Sequence, residues 1–130
     1  MNYVLSTVFC DDIRLENNGK LFLIGVYQDD LIPAFLPQTI PLAIWSRLLG
    51  VPPGVFDILV RVGVNDAVQH ELPVKLNILE TSRSANIHLV GIPIQVDAPS
   101  TVVFEIVGLP NQGELKSTFD VRPVPDSAVL

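Results

Sequence analysis

The chain has 130 residues, of which 48% are apolar and only 17% charged, and its net charge is −6. That length allows one domain that buries roughly two-thirds of its unfolded surface. Nucleic-acid binding is not expected: it needs clustered cations against phosphates, and here Arg14, Lys20, Arg47, Arg61, Lys75, Arg83, Lys116 and Arg122 stand singly.

Eleven prolines and eight glycines interrupt the chain at short intervals, and no window sustains a helical apolar period. Short β-branched runs ended by turn residues predict strands over 3–14, 20–28, 39–48, 55–64, 73–80, 86–96, 101–108 and 114–122. Between the first two, Asn18-Gly19 predicts a tight hairpin with positive φ at Gly19. In the third run Ile40, Leu42 and Ile44 share one face, and Ala43, Trp45 and Arg47 point the other way. Phe56, Ile58, Val60 and Val62 oppose Asp57 and Arg61, and a predicted loop holding His70-Glu71 follows. The 86–96 run changes phase from Ile87 and Leu89 to Val90, Ile92 and Ile94, beside Gly91 and Pro93, which predicts a bulge or a crossing edge strand. Val102, Phe104 and Ile106 oppose Thr101 and Glu105, and Leu115, Phe119 and Val121 oppose Glu114, Lys116, Thr118 and Asp120. One dry and one wet face per strand predicts antiparallel sheets. The expectation is an all-β, two-sheet sandwich of about eight strands over residues 1–122, with Greek-key connections and a closed barrel as the alternative. An extended tail is expected over 123–130.

Cys10-Asp11-Asp12-Ile13-Arg14, then Glu16, Gly19-Lys20 and Leu23-Ile24-Gly25-Val26-Tyr27, together resemble the opening of a small family of uncharacterised bacterial and prophage-encoded β-sandwich proteins. The likeness covers residues 10–27. It implies the sandwich fold and a bacterial or phage context, and it brings no activity or site residue with it.

Catalytic chemistry is not encoded in any motif. Cys10 is the sole cysteine, so no internal disulfide can form. A cysteine nucleophile needs a base, and His70 and His88 lie 60 and 78 residues further on in unrelated contexts. Cys10 therefore reads as a small buried apolar residue. Asp11, Asp12, Glu16, Asp29 and Asp30 are the carboxylates with any metal-binding prospect. Calcium takes 6–8 oxygen ligands, and no loop repeats the Asp-x-Asp spacing that would supply them. The structural alternative is that Asp11 or Asp12 caps the strand end and one pairs with Arg14. Gly19-Lys20 lacks the upstream glycine and the helix of a phosphate loop. No enzyme, cofactor or metal is expected. No basic leader precedes an apolar segment, and no apolar run approaches 18 residues, so the expectation is a soluble cytoplasmic protein with no membrane partner.

The apolar loops are the strongest functional signal. Leu31-Ile32-Pro33-Ala34-Phe35-Leu36-Pro37 and Leu48-Leu49-Gly50-Val51-Pro52-Pro53 are too rich in apolar residues for ordinary solvated connections. They either complete the core at one end of the sandwich or present a docking patch. Trp45, outward beside Arg47, has the composition of an interface hot spot. The candidate partner-binding residues are thus Leu31, Ile32, Phe35, Leu36, Trp45, Arg47, Leu49 and Val51. The expected function is a non-enzymatic protein-binding module, working as a homodimer or in a hetero-complex. An accessory factor of bacterial or phage origin fits best, including one that inhibits a host defence complex. A sandwich binding a small ligand or carbohydrate is the alternative, with Tyr3, Tyr27 and Trp45 as its only amphipathic aromatics.

Overall fold

Two-residue alternation of apolar and polar side chains builds two layers. A computed structural model describes residues 3–80 and 84–124. It contains β1 (Val4–Leu15), β2 (Leu21–Val26), β3 (Asp30–Leu31), β4 (Gln38–Leu49), β5 (Gly54–Val64), β6 (Ala67–Ile78), β7 (Ala85–Val96), β8 (Ser100–Val107) and β9 (Lys116–Val121), and no helix among the described residues. A four-stranded sheet runs β2-β1-β4-β7, and a five-stranded sheet runs β3-β9-β8-β5-β6. The sheets stack as a sandwich and do not close into a barrel. All pairings are antiparallel except β3 with β9. Between β4 and β7 the chain crosses to the other sheet, makes the β5–β6 hairpin, and returns to lie beside β4. That return is of Greek-key type. Of the expected tail, residues 125–130 lie outside the described residues.

The core is the inner parity of each strand. Leu42 and Ile44 of β4, Val60 and Val62 of β5, Ile94 and Val96 of β7, and Val102, Phe104 and Ile106 of β8 are all fully buried. Among the described residues, Ser46 is the one polar residue buried with them. Its hydroxyl lies 3.3 Å from that of Thr7, which accepts from the Ser117 hydroxyl at 2.7 Å. This relay satisfies the buried oxygen and links the two sheets through their middle.

Three details differ from the expected strand map. β6 begins at Ala67, so His70 and Glu71 sit on a strand, opposite Val62 and Arg61. The chain reverses at once at Asn65-Asp66: Asn65 takes φ 53°, and its Oδ1 accepts the Thr101 N–H at 3.0 Å. A register shift between Val62 and Gly63 follows, where the Ala67 carbonyl lies against the space a Gly63 side chain would need. β3 was not expected, because two residues carry no alternation. It is held by the Arg122 N–H on the Leu31 carbonyl at 2.9 Å and by the Arg122–Asp30 ion pair at 2.8 Å. The run expected over 114–122 starts as a strand only at Lys116. The phase change expected in 86–96 is present: the β4–β7 register shifts between Leu42 and Ile44, and Gly91 has φ 68°.

The first hairpin turns through Asn17-Asn18-Gly19. The Glu16 N–H donates to the Lys20 carbonyl at 2.8 Å, and the Gly19 N–H donates to the Glu16 carbonyl at 3.1 Å. Gly19 has φ 83°, and nothing lies within 4 Å of where its side chain would be. Gly19→Val therefore meets only backbone strain, and about 1 kcal/mol of stability should be lost. Urea denaturation reads this directly, and an unmoved midpoint contradicts the turn.

Candidate functional site

The pairing of β1 with β4 runs from Val4↔Leu49 to Cys10↔Ala43 and stops there. From Asp12 to Leu15, β1 pairs only with β2, and β2 hydrogen-bonds to no other strand. Residues 11–26 are therefore a two-stranded arm that parts from β4 at Ala43.

The root of this arm is pinned by residues of the N-terminal motif. Gly25 takes φ 68°, and the Asp11 carboxylate fills the space its side chain would need. Asp11 Oδ1 accepts the Tyr27 hydroxyl at 2.9 Å. The Tyr27 ring packs edge-on against Phe119 at 5.2 Å, and Phe119 meets Phe9 at 4.8 Å. Burial, reinforced by Asp11, pushes the Tyr27 phenol far above its usual range, so it remains a donor. Asp12 pairs with Arg14 at 2.7 Å, as expected for one of the two aspartates. The Arg14 guanidinium holds the Asp12 carboxyl below the usual carboxylate range.

Alternation also breaks within β1. Cys10 and Ile13, an odd number of residues apart, both belong to a small cluster with Ala43, flanked by Leu21, Leu23 and Trp45. The arm carries apolar side chains in two directions, because β2 is apolar at both parities. Leu21 and Leu23 line this cluster, whereas Phe22 and Ile24 are 56% and 46% exposed and Leu15, near the tip, is 71% exposed.

Where the arm meets the outer side of the four-stranded sheet, it walls a groove of about 620 Å³. Leu15, Leu21 and Leu23 form one wall, and Trp45, Arg47, Asn86 and His88 form the other. The Arg47 guanidinium stands 5.3 Å from the Trp45 ring centre, and its Nε donates to Asn86 Oδ1 at 3.4 Å. Trp45 lies opposite His88 across the β4–β7 pairing.

The structure divides the sequence-derived candidates into three groups. Trp45 and Arg47 line the groove. Leu31, Leu36 and Val51 pack against the main core, so this part of the apolar loops completes the sandwich. Ile32, Phe35 and Leu49 are exposed, but the groove takes its apolar wall from the arm and not from their segments. Sequence reasoning missed Leu15, Leu21, Phe22, Leu23 and Ile24. The available signal was Leu21–Val26 itself, six residues without one charge and apolar at both parities.

Among the described residues, Cys10 and the two histidines stand apart from one another. Cys10 is fully buried, with its thiol 3.5 Å from the Asp12 carbonyl. Burial, and then the nearby Asp11 charge, push the thiol pKa upward. Native protein at neutral pH should therefore alkylate at Cys10 far more slowly than unfolded protein. Rapid stoichiometric labelling by a maleimide without denaturant would contradict this. His70 Nε2 lies 2.5 Å from the Pro93 carbonyl, and His88 is exposed. Among the described residues no three His, Cys, Asp or Glu side chains converge as metal ligands, and no helix is long and apolar enough to cross a membrane. Fold and site together define a β-sandwich with a projecting apolar hairpin and an adjoining Trp–Arg groove. No protein family, curated protein or solved structure matches the chain.

Proposed function

We propose that this chain is a non-enzymatic protein-binding module of the cytoplasm, an accessory factor of bacterial or phage origin that acts by contact with another protein. Inhibition of a host defence complex belongs to this class of task. The carrying observation is the arm: a two-stranded ribbon whose Leu15, Phe22, Ile24 and Val26 are exposed. An isolated two-stranded ribbon is marginal in water, and clustered exposed apolar side chains mark interaction sites. Burying such a side chain against a partner contributes about 1.5–3 kcal/mol, so a few of them account for a specific complex. The bacterial or phage context rests only on the likeness of residues 10–27.

Affinity purification from the native host tests the reading. Phe22→Asp and Leu15→Asp, at exposed positions, should each reduce partner capture about tenfold or more, because a charge is placed where apolar contact is needed. Unchanged capture by both folded variants refutes it. The groove favours a second reading, a small-ligand or carbohydrate site, since Trp45, Asn86 and His88 combine an aromatic with polar groups. Arg47 already stands over the Trp45 ring and bonds Asn86, so a sugar would have to displace it. Trp45 is the only tryptophan. Ligand-induced quenching of its fluorescence, lost in Asn86→Ala and retained in Phe22→Asp, would favour this reading.

A further inference from the structure

The chain carries 14 acidic and 8 basic side chains, so its cations have carboxylates in excess to pair with. Arg14, Arg61, Lys116 and Arg122 each do so. Lys20 and Arg47 pair with none among the described residues, and both line the groove beside the arm. Among the described residues no carboxylate lines it with them. Its other polar groups add donors. The Arg47 Nε–H is taken by Asn86 Oδ1, which leaves the guanidinium Nη groups and the Asn86 amide N–H without a partner among the described residues. His88 contributes a ring nitrogen. On the opposite wall Leu15, Leu21 and Leu23 present hydrocarbon only. On a chain of net charge −6, this groove is cationic, rich in donors and apolar along one side.

We infer that this groove binds a small organic acid, a carboxylate carried on an aliphatic body. The inference rests on the ligand reading of the groove, gives that ligand a chemical class, and leaves the Phe22 and Ile24 face of the arm to a protein partner. A guanidinium presents paired N–H donors that match the two oxygens of a carboxylate. Arg47 offers its Nη groups from where it stands, over Trp45 and bonded to Asn86, so an acid does not require the displacement that a sugar does. Sugar hydroxyls would also lose their hydrogen bonds along the leucine wall, whereas an alkyl chain has none to lose. The size fits as well, because about 620 Å³ falls within the range of roughly 300–1,000 Å³ usual for small-ligand sites. Around Trp45 the floor is a sheet face, with β4 paired on both sides, so it offers side chains and no free backbone ladder to an extended peptide. Lys20, just before β2, supplies a second positive charge.

Decanoate below its micelle threshold is the probe, and calorimetry together with Trp45 fluorescence reads its binding. Decanol, with the same chain length and no charge, should bind at least about tenfold more weakly. Arg47→Met keeps an unbranched stem beside Trp45 and removes the charge. It should weaken decanoate about tenfold and leave decanol within about twofold. Lys20→Gln, at an exposed turn position, should weaken decanoate about threefold, and it answers the question even if Arg47→Met fails to fold. Lys75→Gln removes the same charge from β6 in the other sheet and should change neither affinity. Decanol bound as tightly as decanoate, or decanoate indifferent to both Arg47→Met and Lys20→Gln, overturns the acid while leaving a ligand groove. A peptide of alternating Leu and Glu that binds where decanoate does not overturns it in favour of a protein segment. No binding of decanoate at all also overturns it, and partner capture that still falls with Phe22→Asp then leaves the protein-binding reading standing.

Discussion

Replacing Phe104 with alanine is expected to remove about 3–5 kcal/mol of unfolding free energy, the range for truncating a large buried aromatic. Phe104 is fully buried in β8, a strand flanked on both sides, with Val62 of β5 and Ser117 of β9 as its register neighbours. Both of those strands are fixed by their own pairings, so the sheet cannot collapse into the space left behind. Domains of this size are stable by only about 5–15 kcal/mol in total, and the variant should sit close to its unfolding transition at room temperature. Urea denaturation measures the loss. A midpoint shift equivalent to less than about 1 kcal/mol, the typical effect of a point mutation, would mean that Phe104 does not sit at the centre of the core.

Gly25→Val is expected to cost about 2–3 kcal/mol, clearly more than Gly19→Val, although both glycines have positive φ. The difference lies in the surroundings. Gly19 faces open space, whereas a side chain at Gly25 runs into the Asp11 carboxylate. Displacing that carboxylate also breaks its hydrogen bond from Tyr27 and loosens the root of the arm. Tyr27→Phe, which removes only that bond, should cost about 1 kcal/mol. Parallel denaturation of the three variants gives the ranking. Equal losses for Gly25→Val and Gly19→Val would show that Asp11 does not pack over residue 25.

Strict alternation along Leu21–Ile24 sends Leu21 and Leu23 toward the outer cluster and leaves Phe22 and Ile24 on the opposite, uncovered side. Because all four side chains are apolar, neither face of the arm is a polar one. Gly25 bears on this surface through its root, where it lies against the Asp11 carboxylate.

Alternation is a local property, and everything that depends on it was determined by the amino-acid sequence alone: the all-β class, the inner face of β4, β5, β8 and β9, the turn at Asn18-Gly19, the phase change beside Gly91 and the burial of Cys10. Local chemistry also determined the Asp12–Arg14 pair, two residues apart on one strand. What the tertiary structure decided concerns which surface covers which. Leu31, Leu36 and Val51 look like Ile32, Phe35 and Leu49 in sequence, yet the first three reach the core and the others do not. β3 exists only because Arg122, 92 residues from Asp30, bonds to it. The apolar run of β2 reads as an ordinary buried strand until the β1–β4 pairing is seen to end at Cys10, leaving its Phe22 and Ile24 face uncovered. Such contacts join residues far apart in the chain, and their free energy depends on the position of the opposite layer, which no short window of residues contains.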